Sequence, residues 1–402
     1  MKEEHSSLQA RAFAYVEEHR AGMLDLLKRL VSLESYSADV ADVNRVIELL
    51  AREMAPDFVQ RTESYPEAGS TLVAVSGGER PNAPVVFIGH CDTVHPAGSL
   101  AGRMPLRTDD EGKIYGPGVL DMKGGLVIAL YTIRALNAAG YDKRPFKFVI
   151  SGDEENGHVN SRSAEVIRSE SKGGAAAFVG ETGYLDNKII IQRKGCGRFR
   201  LESFGRSAHA GICPEKGCHA ILDMARRIEA VQALNDNREG ITYNVGVIQG
   251  GTVPNAVPDY CCAEIDVRYT EEKQIPAILE ALNGIAGRTY VDGVTAKLSG
   301  GLHFLPMEAT PGNRALFEIV REAVRSLGGP EPYAGSTGGA SDAAYASAEG
   351  VPTVCSMGIQ GGLSHTPDEY AVIETLYDRT KVLITSILLA EESLFVTTAS
   401  CS

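Results

Sequence analysis

The chain has 402 residues, of which 44% are apolar and 43 are glycine, and its formal net charge is −13. The length suggests two domains, and the apolar content is sufficient for a buried core, which argues against a disordered chain. The acidic balance argues against nucleic acid or an anionic membrane as the main partner, because either would need a basic surface.

Three further features of the sequence predict a cytoplasmic protein. The first residues lack the apolar segment of a secretory signal, and no apolar run approaches the ~20 residues of a membrane span. The eight cysteines are scattered and form no CxxC pair. We therefore expect reduced, buried thiols and no membrane association.

The first half of the chain alternates apolar strands with helices. Leucines at i, i+3 and i+4 spacing predict a helix near the N-terminus, and short apolar runs predict buried strands. The predicted helices are 8–33 and 126–136, and the predicted strands are 85–88, 146–150 and 175–179. This alternation indicates an α/β domain with a mostly parallel sheet flanked by helices.

The pattern changes after residue 193. Strands are predicted at 197–204, 243–249, 261–269 and 294–298, with helices at 220–233 and 271–286. This order, βαββαβ, is that of a ferredoxin-like domain. The α/β pattern resumes with a helix at 313–327, a strand at 351–356 and a helix at 374–390. We therefore predict a discontinuous first domain (1–193 and 304–402) interrupted by a second domain (194–303).

Histidines and carboxylates follow several predicted strands of the first domain, where α/β proteins place their ligand sites. They are His90, Asp92, Asp121, Glu154, Glu155, Glu181 and His365. Each alone has an ordinary interpretation, as a polar loop, a helix N-cap, a solvated acidic turn or a structural histidine. Together, two histidines and several carboxylates are a suitable ligand set for two divalent ions, which a bridging carboxylate would hold about 3.5–4 Å apart.

Several motifs, in the same order along the chain, resemble those of the M20 metallopeptidase family, especially its glutamate carboxypeptidase-like branch. The resemblance covers nearly the whole chain. The motifs are His90-Cys91-Asp92-Thr93-Val94, residues 116–125, Glu154-Glu155, residues 205–211 and 255–259, Asp266-Val267-Arg268, residues 341–345 and His365.

The resemblance implies a pair of zinc ions, which Co²⁺ or Mn²⁺ could replace. Asp121 would bridge the two ions. His90 and Glu181 would complete one site, and Glu155 and His365 would complete the other.

The resemblance also implies two supporting roles. Asp92 would orient His90, since a carboxylate behind a histidine fixes its tautomer. Glu154 would be the general base that activates the metal-bridging water.

The inserted domain resembles the lid and dimerisation domain of the family, which implies a homodimer. His209 would then reach an active site, that of the partner subunit, and stabilise the oxyanion. Asn255 and Arg268 resemble residues that hold a substrate carboxylate. Ordinary interpretations are also open: a loop histidine for His209 and a structural ion pair for Arg268.

The sequence departs from the family pattern at three places. Residues 300–303 contain no arginine where the carboxypeptidases carry one, which weakens the case for a substrate with two carboxylates. Met122 stands where many relatives have a second acid. His158 follows the glutamate pair where a small residue is commoner. A contact with substrate is one interpretation, and we expect a solvent-facing side chain.

We therefore expect a dinuclear zinc amide hydrolase that releases a free amino acid from a short peptide or an N-acyl amino acid. Glutamate at position 181 favours a carboxypeptidase or an N-acyl amino acid amidohydrolase over an aminopeptidase or dipeptidase of the same family. A non-hydrolytic binding protein on a peptidase scaffold is a further alternative, and the complete set of ligands together with Glu154 argues against it. A two-metal phosphoesterase is the last alternative, which an assay with p-nitrophenyl phosphate would test.

Overall fold

A computed structural model describes residues 2–235 and 240–395 of the chain. The chain divides into two compact units. Unit 1 comprises Met1–Gln192, Ala309–Ser336 and Ser341–Ser402, and unit 2 comprises Arg193–Glu308 and Thr337–Ala340. Unit 2 thus includes the short segment 337–340, which the sequence analysis left in the first domain.

The described residues form ten α-helices. They are α1 (Lys2–Glu18), α2 (Arg20–Val31), α3 (Val40–Met54), α4 (Gly124–Ala138), α5 (Ser163–Ser171), α6 (Ala220–Gln232), α7 (Ile275–Gly287), α8 (Pro311–Ser326), α9 (Ala343–Ala348) and α10 (Ile373–Glu392). The helical start predicted at 8–33 is confirmed, but as two helices, α1 and α2, with a turn at His19 between them. The ring of His19 stacks on Tyr15 and its Nδ1 lies 2.8 Å from the Tyr15 carbonyl oxygen, so the side chain binds the backbone at the end of α1.

The same residues form nineteen β-strands. They are β1 (Val59–Glu63), β2 (Gly69–Ser76), β3 (Val85–His90), β4 (Arg107–Thr108), β5 (Lys113–Tyr115), β6 (Phe146–Gly152), β7 (Ala176–Val179), β8 (Gly183–Tyr184), β9 (Lys188–Arg193), β10 (Gly195–Phe204), β11 (Ala208–His209), β12 (Thr242–Gly250), β13 (Ala256–Val257), β14 (Tyr260–Tyr269), β15 (Thr295–Phe304), β16 (Tyr333–Thr337), β17 (Thr353–Val354), β18 (Gln360–Gly362) and β19 (Tyr370–Val372).

The main sheet of unit 1 has six strands in the order β1-β2-β6-β3-β7-β17. The strands from β6 to β17 run parallel, and β1 and β2 add an antiparallel edge, so the predicted mostly parallel α/β sheet is confirmed. Phe87 on β3 packs its ring 6.0–6.3 Å from those of Phe146, Phe148 and Phe178 on the two neighbouring strands. This aromatic cluster gives the central strands a buried core.

A second sheet of unit 1 contains five short strands in the order β4-β5-β19-β18-β8. The strand β18 pairs parallel with β8 and antiparallel with β19. The loop after β18 contains His365, so this sheet determines the position of that histidine.

Unit 2 contains a four-stranded antiparallel sheet in the order β12-β14-β10-β15. In chain order its elements are β10, α6, β12, β14, α7 and β15, which is the ferredoxin-like pattern that the sequence predicts. Apolar residues of the four strands and of the two helices form one core. The strand β12 lies at one edge of this sheet.

Among the described residues, no helix is both long enough and apolar enough to cross a membrane. The seven cysteines of the same part of the chain are free thiols, and all but Cys213 are buried.

Candidate metal centre

Three neighbouring parallel strands bring the first candidate residues together. His90 is the last residue of β3, a strand whose six residues are all buried. Glu154 and Glu181 each follow the flanking strands β6 and β7 by two residues. Because β6 and β7 both run parallel to β3, these side chains lie at the same edge of the sheet.

Asp92 is fully buried and connects His90 with the turn that carries Glu154 and Glu155. His90 Nδ1 lies 3.1 Å from the backbone carbonyl oxygen of Asp92 and 3.5 Å from its carboxylate. The same carboxylate accepts hydrogen bonds from the backbone N–H groups of Glu154 (3.2 Å) and Glu155 (3.1 Å) and from Ser37 Oγ (2.7 Å). Asp92 therefore supports two parts of the candidate centre, the ring of His90 and the turn that carries Glu154 and Glu155.

Asp121 lies in the turn Val119–Lys123, directly before α4. Buried Glu369 holds this turn, since one of its oxygens accepts the backbone N–H groups of Leu120 (2.9 Å) and Asp121 (3.1 Å). Its other oxygen lies 2.7 Å from Nε2 of the buried His95.

The chain before Glu181 packs against the first turn of α4. A Cβ atom on Gly125 would lie 1.8 Å from the Gly180 carbonyl oxygen, and one on Gly358 would lie 2.2 Å from the same atom. Only glycine permits these approaches, and they bring the helix close to the backbone that carries Glu181. The Glu181 carboxylate accepts a hydrogen bond from Ser341 Oγ at 2.9 Å.

His365 is the most exposed of the predicted ligands, with 52% of its side chain accessible. Its backbone has a φ of 63°, in the left-handed region that non-glycine residues rarely adopt. The half-exposed ring therefore lies at the open side of the centre, whereas His90 lies at its base.

The predicted ligands converge on Asp121. One Asp121 oxygen lies 3.4 Å from His90 Nε2, and the other lies 3.3 Å from His365 Nε2. His365 Nε2 is also 3.4 Å from Glu155 Oε1, and His90 Nε2 is 3.9 Å from Glu181 Oε1. Ligand atoms of His90, Asp121 and Glu155 all lie within 4.8 Å of one another.

These spacings suit ligands of a common ion. Two ligand atoms at the usual zinc distance of ~2.05 Å, in a tetrahedral arrangement, lie about 3.3 Å apart. Moreover, Glu155 Oε1 is buried, and although His365 Nε2 lies 3.4 Å away, this oxygen accepts no hydrogen bond of good geometry from the described residues. A buried oxygen without a partner is costly unless a cation approaches it, so the residues present fit divalent metal ions.

The electrostatics of the centre point the same way. Burial and the neighbouring acid Glu181 raise the pKa of Glu154 well above its usual value, and burial raises the pKa of Glu155 to about 7. Burial would also raise the pKa of Asp121, but His365 and His90 outweigh it and hold that pKa below its usual value. Glu154 and Glu155 therefore resist ionisation without a cation, and bound metal ions would stabilise their charged forms.

The expectation that His158 faces solvent is wrong. Only 7% of its surface is accessible, and its Nε2 lies 2.6 Å from Asp342 Oδ1. A histidine next to an acidic turn looks hydrated in the sequence, because its partner lies 184 residues farther along the chain.

Unit 2 contains the three remaining candidates. His209 is on β11, which pairs with β13, and the backbone N–H of Ala210 donates to the Asn255 carbonyl oxygen, so His209 and Asn255 lie close together. His209 Nδ1 accepts the backbone N–H of Gly211 at 3.1 Å. Arg268 makes a two-pronged ion pair with Asp266, at 2.8 and 3.0 Å.

Several supporting residues of the centre had no such role predicted from the sequence, although Ser341 and Asp342 belong to a motif noted there. They are Glu369, His95, Ser341 and Asp342, together with His158. Glu369 follows His365 closely in the sequence, and that proximity was the one signal that could have drawn attention to it.

The comparisons with known proteins agree with this fold. A sequence model of Peptidase family M20/M25/M40 matches residues 86–388. Carboxypeptidase G2 of Pseudomonas sp. (strain RS-16) is 25% identical over 370 residues, which cover 90% of this chain and 88% of that protein. Succinyl-diaminopimelate desuccinylase of Bradyrhizobium sp. (strain BTAi1) is 26% identical over 393 residues, which cover 89% of this chain and 96% of that protein. The solved structure of aminopeptidase PepT from Bacillus cereus has a TM-score of 0.75 at 21% identity, covering 92% of this chain and 99% of that one.

The fold and the site together define a metal-dependent hydrolase. The chain belongs to peptidase family M20/M25/M40, and it is a metallopeptidase or amidohydrolase of that family.

Proposed function

We propose that this chain is a dinuclear zinc amide hydrolase that releases a free amino acid from a short peptide or an N-acyl amino acid. The proposal is carried by Asp121, whose two oxygens face His90 and His365 at 3.4 and 3.3 Å. A carboxylate between two histidines is the arrangement that a bridging ligand needs. The mixture of imidazole and carboxylate favours zinc, and Co²⁺ or Mn²⁺ would be substitutes.

His90, Asp121 and Glu181 would hold one ion, and Asp121, Glu155 and His365 would hold the other. When bound, the two ions would polarise the scissile carbonyl group and lower the pKa of water toward ~7. The acidic ligands would balance most of the positive charge.

Glu154 is the proposed general base. It is 7% exposed, and its carboxylate lies 3.9 Å from His90 Nε2, beside the ligands. The carboxylate would take a proton from the attacking water and return it to the leaving nitrogen.

Residues of unit 2 are the proposed substrate contacts. His209 would stabilise the oxyanion, and Asn255 and Arg268 would hold the substrate carboxylate. Nε and Nη2 of Arg268 bind Asp266, and Nη1 lies 3.4 Å from the Gly338 carbonyl oxygen. A substrate carboxylate would therefore compete with that carbonyl oxygen for Nη1. The exposed side chain of Asn255 makes no hydrogen bond within the described part of the chain, which leaves it available to substrate.

A homodimer through unit 2 is part of the proposal, with His209 serving the partner subunit's site. The edge strand β12 exposes Val247 (44%) and Ile248 (52%). An unpaired edge that presents apolar side chains favours pairing with another strand. A second copy related by a two-fold axis would supply the same strand in antiparallel orientation.

One substrate screen tests the proposed function. The zinc-loaded protein is incubated with N-acyl amino acids, with dipeptides that have free or acylated amines, with their C-terminal amides, and with p-nitrophenyl phosphate. We expect release of free amino acid from the substrates with a blocked amine and a free carboxylate. Chelation should abolish this activity, and Zn²⁺ or Co²⁺ should restore it.

Three outcomes of the screen would contradict the proposal. Full activity after exhaustive chelation would exclude metal catalysis, and turnover of the phosphate ester alone would indicate a phosphoesterase. A preference for free-amine dipeptides would indicate an aminopeptidase or dipeptidase of the same family instead.

A further inference from the structure

His158 closes the turn of residues 153–158, which we call the glutamate turn because it carries Glu154 and Glu155. Its backbone N–H donates to the Asp153 carbonyl oxygen at 3.0 Å. Its φ is 58°, a conformation that suits glycine or asparagine better than histidine. A histidine at such a position is unfavourable for the backbone, so a contribution from its side chain is needed to offset the strain.

The His158 ring makes its short contact with Asp342. Nε2 lies 2.6 Å from Asp342 Oδ1, and the other Asp342 oxygen accepts a hydrogen bond from Ser151 Oγ at 2.9 Å. All three residues are buried, with Asp342 and Ser151 at most 1% exposed. Ser151 is on β6 and His158 ends the glutamate turn, so Asp342 contacts both ends of the segment 151–158.

Ser341, the residue before Asp342, binds the other side of the centre. Its Oγ donates to Glu181 Oε1 at 2.9 Å. Two consecutive residues therefore contact two parts of the centre that follow different strands: Asp342 contacts the glutamate turn after β6, and Ser341 contacts Glu181 after β7.

We propose that His158 is a positioning residue that keeps the glutamate turn aligned with Glu181 through Asp342 and Ser341. This inference rests on the proposed function and goes beyond it, since His158 neither binds metal nor touches substrate in that mechanism. Its role is to fix the general base and the adjacent ligand relative to the ligand on the next strand, where small displacements are costly to rate.

Two substitutions separate the side-chain contact from the backbone conformation. His158→Asn suits the left-handed backbone, but its amide is too short to reach Asp342. His158→Gln extends an amide N–H toward the position of Nε2. We expect kcat of the asparagine variant, at saturating metal, to fall about 10- to 100-fold with KM changed less than threefold. The glutamine variant should recover to within about threefold of wild type.

Cobalt binding supplies a readout other than turnover. Competition with a chelator, followed by the visible absorption of Co²⁺, should show about tenfold weaker binding or more for His158→Asn. The core variant Val320→Ala in α8 is the stability control, because it loses packing without touching the centre. If His158→Asn lowers kcat and cobalt affinity no more than a control of equal thermal stability, the inference is wrong.

A double-variant cycle tests the connection to Asp342. Asp342→Asn alone should also lower kcat, and the double variant with His158→Asn should fall no further than the worse single variant, within about threefold. Multiplicative losses would mean that the two residues act separately and would overturn the inference. An inactive wild type would contradict the proposed function, whereas an active wild type with an unaffected His158→Asn variant would contradict only this inference.

Discussion

Asp92 and Glu369 each hold part of the candidate centre, because their carboxylates accept backbone N–H groups of the turns that carry the candidate ligands. The candidate ligands were predicted from histidines and acids that follow apolar strands, whose ends meet at one edge of a sheet, and from the resemblance to family motifs. The sequence did not predict the role of Glu369, since it does not distinguish a hydrated loop acid from a buried acid that accepts two backbone N–H groups. His158 and Asp342 were missed for the same reason: their contact is long-range.

Replacing Glu154 by glutamine should remove the general base and spare the ligands. We expect kcat to fall about 10²- to 10⁴-fold while two metal ions per chain remain bound, measured by metal analysis beside a turnover assay. The metal-free variant should be at least as thermally stable as wild type, because a neutral side chain relieves the repulsion that raises the pKa of Glu154. Glu165→Gln on the surface of α5 is the control and should keep full activity. Near-normal activity of Glu154→Gln would contradict the assigned role.

The affinity for metal should rise with pH. Asp121 and Glu155 raise the pKa of His365 to about 10 in the metal-free site. Between pH 6.5 and 10 the folded, metal-free protein therefore keeps a proton on His365 that metal must displace, so apparent affinity should increase by up to ~tenfold per pH unit for that proton.

Calorimetry in buffers of different ionisation enthalpy measures the protons released on zinc binding. His365→Asn should release about one proton fewer than wild type. By the same linkage, the stability that His365 gives the metal-free protein should be complete below pH 6.5 and lost as the pH rises toward 10. An affinity that does not change with pH would contradict the expected competition.

At the level of elements, the centre depends on three parallel strands and on the helix α4. The strands β3, β6 and β7 were predictable, because each is a short, continuous apolar run. The strands of the second sheet were not, because two or three residues carry no periodicity and pair only through their tertiary neighbours. The strand β1 was missed because it has an exposed and largely polar sequence.

The packing of α4 against the backbone before Glu181 predicts that Gly125→Ala is damaging. Its Cβ would lie 1.8 Å from the Gly180 carbonyl oxygen, and neither the helix nor the strand end can move freely. We expect a loss of about 1–3 kcal/mol in unfolding free energy and weaker metal binding, measured by denaturant titration and chelator competition. Gly284→Ala in α7 is the matched control, since nothing lies within 4 Å of its Cβ, and it should be neutral or stabilising by about 0.5–1 kcal/mol. Equal behaviour of the two variants would contradict the packing argument.

At the level of the whole molecule, the chain combines an α/β unit with a ferredoxin-like unit. The change in strand polarity near residue 194 predicted this second pattern. The sequence did not reveal that residues 337–340 belong with unit 2, because four residues of Thr-Gly-Gly-Ala carry no pattern of their own.

The proposed homodimer predicts that a charge on the edge strand β12 weakens association. Ile248→Lys should raise the dimer Kd by at least ~tenfold, since a charged side chain would be buried against the partner strand. Analytical ultracentrifugation measures the effect, and Val159→Lys, which alters an exposed apolar residue of unit 1, is the control. If His209 serves the partner subunit's site, activity should fall with dissociation. A wild-type chain that sediments as a monomer at micromolar concentration would contradict the dimer.

The segment 337–340 has a consequence for exchanging unit 2 between relatives. Its carbonyl groups lie against two arginines from the rest of unit 2. Arg193 Nη1 donates to the carbonyl oxygens of Gly339 and Ala340, and Arg268 Nη1 lies 3.4 Å from the Gly338 carbonyl oxygen. A chimera that replaces only residues 193–308 would place the relative's residues at positions 193 and 268 against the original segment 337–340. The exchangeable module is therefore two pieces of chain, and a graft that includes both should fold better than one cut at the apparent insertion points.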